Sequence, residues 1–426
     1  MEKSSTEIQP TPVVTIGLNI KDKHFDYSMD ELNNLVTANN MTVTETLVQK
    51  TDHTDAATYF GKGKVQELAT VLADDGVSTV VVNDELSPSQ IRNLEKQTQA
   101  KIIDRTGLIL EIFANRARTH EAKLQVQLAK LQYQLPRLHT SASQRLDQQT
   151  GAGGGGFTSR GSGESQYELN RRTIQNQISH IKHELKQIQK SDQTQRKQRE
   201  ANQIPTIALV GYTNAGKSTI MNELLERFGE ADKQVMVKNM LFATLDTNVR
   251  RLTFPDNKKL LISDTVGFVS KLPHQLVSAF RSTLAEAASA DLLVQVVDYS
   301  DEDRQLMMNT TEQTLKEIGV PNIPMITVMN KADLTDSHFP FREGNNLIMS
   351  AKDPKSIDEL VAMVKEQVFK NYVTKELLIP FSDGQIVAEL NERATVLKTE
   401  YLDSGTQLTV EMPENELHRF AKYVQA

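Results

Sequence analysis

The fold is decided by one stretch, Thr206-Ile207-Ala208-Leu209-Val210-Gly211-Tyr212-Thr213-Asn214-Ala215-Gly216-Lys217-Ser218-Thr219. Its first five residues are mostly apolar and predict a buried strand, and a helical run is predicted from Thr219 to Phe228. Between them stands G-x-x-x-x-G-K-S, which in this strand–loop–helix order predicts a phosphate-binding loop. Gly211 and Gly216 let the backbone curl, so that several N–H groups and the positive end of the helix dipole face the phosphates.

Three residues of this loop have more specific predicted roles. Lys217 can reach the β and γ phosphates of a nucleotide, and Ser218 can offer its hydroxyl to Mg²⁺. For Asn214 two interpretations stay open, help in holding a monovalent cation such as K⁺ or bracing of the loop. Short motifs also arise by chance in glycine turns. Motifs further along the sequence are therefore needed to distinguish a phosphate loop from such a turn.

Later motifs, each after an apolar strand, support the interpretation as a phosphate-binding loop. They also indicate which base of a nucleotide is bound. Asp264-Thr265-Val266-Gly267 places an aspartate where it can hold Mg²⁺ through water, and the N–H of Gly267 can meet the γ-phosphate. In Asn330-Lys331-Ala332-Asp333, the carboxylate can accept both N1–H and N2–H₂ of guanine, which adenine does not offer. Ser350-Ala351-Lys352 fits the last base-contacting loop. Four motifs in this order predict a GTP-binding domain.

The segment between the phosphate loop and Asp264 contains Leu241-Phe242-Ala243-Thr244-Leu245-Asp246-Thr247. A threonine here can reach Mg²⁺ with its hydroxyl and the γ-phosphate with its N–H, in a loop that GTP orders and GDP releases. From the residues alone, Thr244 and Thr247 are both candidates. Phe268 follows Gly267 where Ras-like enzymes carry a water-orienting glutamine. We therefore expect slow hydrolysis by the isolated protein. Phe268 could also pack in a closed switch, and both interpretations can hold together.

Composition excludes several classes of protein. A chain of 426 residues suggests about three domains. No apolar run approaches the roughly 18 residues of a membrane span, and residues 1–12 lack a signal-peptide core. The chain has no cysteine, hence neither disulfides nor thiolate metal sites. We expect a cytoplasmic protein without a membrane span, although some peripheral membrane association is compatible with the sequence.

Within the first 200 residues, the predicted secondary structure changes near position 105. Before it, strand and helix patterns alternate, which predicts a small parallel α/β domain; Gly61-Lys62-Gly63-Lys64 is either an anion site or, the favoured interpretation, a solvated turn. After it, apolar residues recur at 4-3-4-3 spacing and predict a helical coiled-coil hairpin. The two stripes are Leu124, Leu128, Leu131, Leu135 and Leu138, and Ile174, Ile178, Ile181, Leu185 and Ile188.

The predicted hairpin is basic and has a glycine-rich tip. Residues 105–200 carry 16 Lys and Arg against 8 Asp and Glu, whereas the whole chain has a net charge of −7. A basic arm on an acidic protein favours an RNA partner over a merely solvated surface. The run 151–163 contains so much glycine that we expect neither helix nor core there. We expect a flexible tip that enters an RNA site, with a plain connector as the alternative.

The chain resembles the HflX family of ribosome-associated GTPases. The resemblance rests on the loop Gly211–Ser218, on Phe242–Asp246, on Asp264–Phe268 and on Gly161-Ser162-Gly163-Glu164-Ser165-Gln166, where the family typically has Gly-Pro-Gly-Glu-Thr-Gln. It implies Ser218 and Thr244 as the Mg²⁺ ligands. It also implies binding to the large ribosomal subunit, GTP hydrolysis that is faster on the ribosome, and splitting of stalled ribosomes. An ATP-binding activity is also attributed to the family's N-terminal domain, but this sequence contains no second phosphate-loop motif that would support it.

We therefore expect an α/β protein with four parts: an N-terminal α/β domain (1–104), a basic helical hairpin (105–200), a P-loop GTPase domain (201–370) and a small C-terminal α+β domain (371–426). Its predicted function is that of a monomeric GTPase that uses Lys217, Thr244 and Gly267 in hydrolysis and binds ribosomal RNA. The alternative is a structural RNA-binding factor for which the nucleotide is only a conformational ligand. The sequence of the C-terminal part carries no recognisable chemistry.

Overall fold

The computed structural model describes residues 9–138, 159–201, 204–229, 248–265, 267–271, 285–320 and 322–425. The chain forms two compact units. The first contains the residues up to Arg196 together with Lys238–Asp246 and Gly267–Thr283, and the second contains the remainder. The division into four domains that the sequence predicts stays a prediction.

The first unit begins with a four-stranded sheet in the order β2-β1-β3-β4, in which all pairs are parallel. This confirms the predicted parallel α/β arrangement. Runs such as Val80–Val82 are buried, as expected for parallel strands covered on both faces. The elements are β1 (Thr11–Asn19), α1 (Phe25–Ala38), β2 (Met41–Lys50), α2 (Lys62–Asp75), β3 (Thr79–Val82), α3 (Pro88–Thr98), β4 (Lys101–Asp104) and α4 (Arg105–Arg116).

Two longer helices follow, α5 (His120–Gln134) and α6 (Ser159–Ala201), with a 3-10 turn at Leu135–Arg137. Leu124, Leu128 and Leu131 of α5 form one apolar cluster with Ile181 and Leu185 of α6, and Ile174, Ile178 and Ile188 pack against it. The apolar stripes predicted from sequence therefore do meet. We call α5 and α6 the helical arm.

The helical arm corrects one prediction. Helix α6 begins at Ser159, so Ser159–Gly163 are helical, although the glycine content of 151–163 argued against a helix. Each glycine costs a helix about 1 kcal/mol relative to alanine. Extending a helix that is already nucleated adds one hydrogen bond per residue, and a helix of 43 residues offers a long nucleated run. Residues 151–158, including Phe157, lie outside the described residues.

The second unit is built on a seven-stranded sheet in the order β10-β11-β9-β8-β5-β7-β6. Only the two outermost pairs, β6–β7 and β10–β11, are antiparallel. Apolar residues of β5, β8 and β9 form one core with helices α7 and α10. The elements are β5 (Thr206–Gly211), α7 (Lys217–Phe228), β6 (Asn248–Thr253), β7 (Lys259–Asp264), α8 (Ala285–Ala288), β8 (Leu292–Asp298), α9 (Arg304–Glu317), β9 (Met325–Asn330), β10 (Phe341–Glu343), β11 (Asn346–Ile348) and α10 (Pro354–Val368).

The chain ends in a small antiparallel sheet in the order β12-β14-β13, which has its own apolar core. We call this part, residues 372–425, the carboxyl-terminal segment. Among the described residues, no helix has both the length and the hydropathy that crossing a membrane would require. The elements are β12 (Tyr372–Ile379), α11 (Gly384–Arg393), β13 (Thr395–Leu402), β14 (Gly405–Pro413) and α12 (Glu414–Leu417), with 3-10 turns at Phe381–Asp383 and His418–Tyr423.

Candidate nucleotide-binding site

The loop Gly211–Lys217 joins the carboxyl end of the central strand β5 to helix α7. Gly211 and Gly216 have φ values of 140° and 98°, which side chains disfavour. A Cβ on Gly211 would also lie 2.2 Å from the carbonyl oxygen of Val296. Both glycines are therefore required by the backbone path, and Gly211 is also required by the close approach of β8. Ligands of open α/β sheets bind at such carboxyl ends of strands.

Lys217 is buried at the start of α7 and turns back into the loop. Its Nζ donates to the carbonyl oxygens of Gly211 at 2.9 Å and Tyr212 at 2.7 Å. Burial, partly offset by the charge of Asp264, lowers the pKa of Lys217 to about 8. A phosphate would supply the negative charge that two carbonyl oxygens lack. The lysine is thus already in the loop and gains most from an anionic ligand.

Ser218 and Asp264 come together from α7 and the end of β7. The hydroxyl of Ser218 donates to Oδ2 of Asp264 at 2.9 Å. Next to it Thr265 is buried, and its hydroxyl donates to the carbonyl oxygen of Leu209 at 2.7 Å. Mg²⁺ prefers a few protein oxygens completed by phosphate and water. The Ser218 hydroxyl and the Asp264 carboxylate fit that preference.

Asn330 ties the phosphate loop to the other loops of the sheet edge. At the end of β9, its Nδ2 donates to the carbonyl oxygen of Ala215 at 2.9 Å, and its Oδ1 accepts from the N–H of Ala351 at 2.8 Å. A Cβ on Gly216 would lie 2.2 Å from Asn330 Nδ2. Asn330 therefore acts as a strut between loops that are distant in sequence, and Gly216 leaves the space for it.

Asp333 lies three residues after Asn330, and both of its carboxylate oxygens have hydrogen-bond partners. Ser350 Oγ donates to Oδ1 at 2.7 Å, and Lys352 Nζ lies 3.1 Å from Oδ2. Partial burial opposes ionisation, but these two partners outweigh it and hold the pKa of Asp333 below its usual value. The carboxylate is therefore charged at neutral pH, as acceptance of two guanine N–H groups requires.

Sequence reasoning missed a residue of this edge, Asp298. It ends β8, and its Oδ2 lies 2.7 Å from Nζ of Lys331. Lys331 itself has a left-handed backbone conformation, with φ of 68°. The contact holds the lysine of the N-K-x-D motif in place. The available signal was the position of Asp298 directly after an apolar strand.

The structure brings together most of the predicted binding residues in the second unit. These are Gly211, Tyr212, Thr213, Asn214, Ala215, Gly216, Lys217, Ser218, Thr219, Asp264, Thr265, Asn330, Lys331, Asp333, Ser350, Ala351 and Lys352. Asn214 is exposed, with φ of 62°. Phe242, Ala243, Thr244, Leu245, Asp246, Thr247 and Val266 lie outside the described residues.

Gly267 belongs to the first compact unit, and the residues just after it are bonded there. Ser270 Oγ donates to Glu31, its backbone N–H donates to Glu31 Oε1 at 3.3 Å, and Arg105 Nη2 donates to Ser270 Oγ at 3.0 Å. Arg105 and Glu31 also pair with each other, and both side chains are almost fully buried. Lys271 Nζ lies 2.6 Å from Asp84 Oδ1. We call these five residues the latch.

Comparison with known proteins agrees with this geometry. Residues 206–331 match the family described as 50S ribosome-binding GTPase, and residues 26–114 and 116–199 match the N-terminal and middle regions of GTP-binding GTPases. The edge described above is thus that of a P-loop GTPase.

Two relatives extend the likeness to nearly the whole chain. GTPase HflX of Caldanaerobacter subterraneus is 39% identical over 97% of this chain and 93% of its own length. GTPase HflX of Magnetococcus marinus is 40% identical over 93% of this chain and 90% of its own length. The chain belongs to the HflX family of GTPases, and it binds and hydrolyses GTP. Among solved structures, a GTP-binding protein from Sulfolobus solfataricus in complex with GDP is 22% identical, with a TM-score of 0.43, over 84% of this chain and 99% of that one.

Replacing Asp333 by asparagine tests the predicted base contact. The variant loses a charged acceptor for guanine, a loss of about 1.5–3 kcal/mol, so GDP affinity should fall about ten- to a hundred-fold. The new amide N–H can donate to the C2 carbonyl of xanthine, so binding of xanthosine diphosphate should improve. Titration calorimetry measures both, with Asp336→Asn as a control outside the motif. Unchanged GDP affinity would contradict the assignment.

The lowered pKa of Lys217 predicts that nucleotide binding takes up protons. The free protein loses the Lys217 proton near pH 8, whereas phosphates favour the charged form and raise the pKa in the complex. GDP affinity should therefore decrease as pH rises through about 8. Calorimetry at pH 8 in buffers of different ionisation enthalpy should show uptake of a fraction of a proton, which Lys217→Met abolishes. The same uptake by both proteins would rule out Lys217 as its source.

Proposed function

We propose that this GTPase acts on the ribosome, where it associates with the large subunit and splits or rescues stalled ribosomes. The family description of residues 206–331 as a 50S ribosome-binding GTPase supports the large subunit as partner. The basic charge of residues 105–200 supports ribosomal RNA as the surface that the helical arm meets. A ribosomal partner also implies action in the cytoplasm.

In this proposal the nucleotide is held by the residues assembled at the sheet edge. The phosphates lie in the loop 211–218, Lys217 neutralises them, and Asp333 binds guanine. Ser218 and Thr244 are the Mg²⁺ ligands, and Gly267 meets the γ-phosphate. Mg²⁺ held by these residues would supply positive charge for the phosphate oxygens during hydrolysis. Asn214, exposed at the loop, is the candidate for holding K⁺, which would help to place the attacking water, because Phe268 has no group that can orient it.

The observation that carries the proposal is the latch. The segment 267–271 directly follows the Asp264 motif in sequence, yet it bonds to the same compact unit that contains the helical arm. Ser270 uses both its backbone and its side chain in these bonds. A change of the Gly267 backbone on loss of the γ-phosphate would pull on Ser270, which is three peptide links further along the chain. Nucleotide state thereby biases the unit that meets RNA, and by linkage RNA binding biases the nucleotide state.

Contacts between the helical arm and the parallel sheet favour transmission of a nucleotide-dependent change to the arm. Tyr133 of α5 donates to Asp104 Oδ1 at 2.6 Å, and Arg137 Nη2 donates to Asp104 Oδ2 at 3.1 Å. Asp104 is fully buried at the end of β4. One carboxylate thus connects the carboxyl-terminal end of α5 to the parallel sheet, and Arg105, the next residue, belongs to the latch.

A double variant, Ser270→Ala with Lys271→Met, tests this coupling. It removes the Ser270 hydroxyl contacts and the Lys271–Asp84 pair but leaves Arg105 and Glu31 paired. GTP hydrolysis is measured with and without purified large ribosomal subunits. Stimulation by subunits should fall about five-fold or more, within the usual range of coupling energies, whereas GDP affinity stays unchanged.

Lys21→Met is the matched control, because it breaks an exposed pair with Asp52 in the same unit. It should be stimulated as the parent is. Equal stimulation of the double variant and the parent would refute coupling through the latch. A parent that large subunits neither bind nor stimulate would refute the ribosomal function itself.

A further inference from the structure

The hairpin of β6 and β7 links the two segments that are predicted to respond to nucleotide. Strand β6 begins at Asn248, directly after residues 242–247, and β7 ends at Asp264. The strands pair in register from Asn248 opposite Asp264 to Thr253 opposite Lys259. The two strands are thus joined by pairing along their whole length. Whatever holds its turn, residues 254–258, therefore limits how far both nucleotide-facing ends can shift.

The turn is held by the carboxyl-terminal segment through Lys258. Lys258 Nζ lies 2.9 Å from Glu411 Oε1 on β14, and the side chains are only 11% and 23% exposed. The same Nζ lies 5.2 Å from the ring centre of Phe369 and 5.8 Å from that of Tyr372. These two rings pack edge to face at 4.9 Å. One ammonium group thus has a carboxylate and two aromatic faces as partners.

The surroundings make this contact stronger than a surface ion pair. Exposed pairs contribute little because water screens them, whereas cation–π contacts gain strength when they are desolvated. Burial, together with the charges of Glu416 and Glu411, raises the pKa of Tyr372 to about 12. The tyrosine is therefore neutral, and its ring is available as a partner for the cation.

The neighbouring residue adds a second contact to a different element. Lys259 Nζ donates to the carbonyl oxygen of Glu392 at 3.2 Å. Glu392 lies in the last turn of α11, where carbonyl oxygens have no partner within the helix and attract cations. Two consecutive lysines thus bind a strand and a helix end of the carboxyl-terminal segment.

Contacts within the GTPase part hold the other side of the turn. Lys365 of α10 lies 2.9 Å from Asp256 Oδ2, and its Nζ lies 4.4 Å from the ring centre of Phe254. Phe254 in turn packs against Phe228 at the end of α7. The turn is therefore clamped between α10 and the carboxyl-terminal segment, with lysines on both sides.

We propose that the carboxyl-terminal segment positions the β6–β7 hairpin for GTP hydrolysis and that Lys258 is the positioning residue through which it acts. Nucleotide affinity comes mainly from the phosphate loop and from the base motifs, which follow β5, β9 and β11. Hydrolysis additionally needs Asp264 and the residues after it in one arrangement, and misplacement by about 1 Å can cost about a hundred-fold in rate. A loosened hairpin therefore lowers kcat and leaves GDP affinity nearly unchanged.

Lys258→Met tests the proposal in the full-length protein. The variant keeps the length of the side chain and its apolar contact with the rings but loses the cation. Single-turnover GTP hydrolysis should slow by about ten-fold, whereas GDP affinity should stay within about two-fold of the parent. Lys258→Arg retains a cation that can reach Glu411 and stack on the rings, so it should restore most of the rate.

Two further variants keep the test decisive. Lys398→Met removes the same charge from β13, where Lys398 pairs with Glu400 and is 63% exposed, and should hydrolyse GTP at the parental rate. Glu411→Gln removes the negative partner of Lys258 on β14 and should likewise slow hydrolysis. It tests the same contact even if Lys258→Met does not fold. Parental hydrolysis by folded Lys258→Met or by Glu411→Gln would overturn the proposal. A parallel loss of GDP affinity and rate would also overturn it, because it would indicate general destabilisation.

Discussion

The two hydrogen bonds of the Asn330 side chain hold the nucleotide site together. One reaches Ala215 in the phosphate loop and the other reaches Ala351 in the loop after β11. In this position, the amide nitrogen of Asn330 leaves no room for a side chain on Gly216. The phosphate loop, the motif Asn330–Asp333 and the loop 350–352 thus depend on one amide at the end of β9. This explains why an asparagine and a glycine that are distant in sequence constrain each other.

The chain on both sides of Asp264 is tied down by charged side chains. Before it, the turn of the β6–β7 hairpin is held through Lys258 and Glu411. After it, Ser270 bonds to Glu31 and Arg105 in the first compact unit. The segment around Asp264 is therefore anchored on both sides, and in the proposed mechanism loss of the γ-phosphate contact would act on either anchor. The proposed coupling would therefore run along the backbone rather than through a separate relay.

The parts of the site that the sequence predicted are contiguous motifs. Gly211–Ser218 and Asn330–Asp333 each lie at a strand end, and their spacing alone implies the backbone path. The apolar stripes of the helical arm were likewise readable, because helical periodicity is a local property. The latch was not predictable, since Ser270 and Glu31 are 239 positions apart and neither sits in a motif. The prediction that residues 151–163 are not helical is wrong for Ser159–Gly163, because glycine propensity is local and takes no account of the long helix that follows.

The most direct test of the account is co-sedimentation of the protein with purified large ribosomal subunits in the presence of GDP, GTP or a non-hydrolysable GTP analogue. If nucleotide state acts on the RNA-facing unit through the latch, most of the protein should sediment with subunits in the analogue and much less in GDP. GTP should give an intermediate result that decays as hydrolysis proceeds. Equal sedimentation in all three nucleotides would contradict the account.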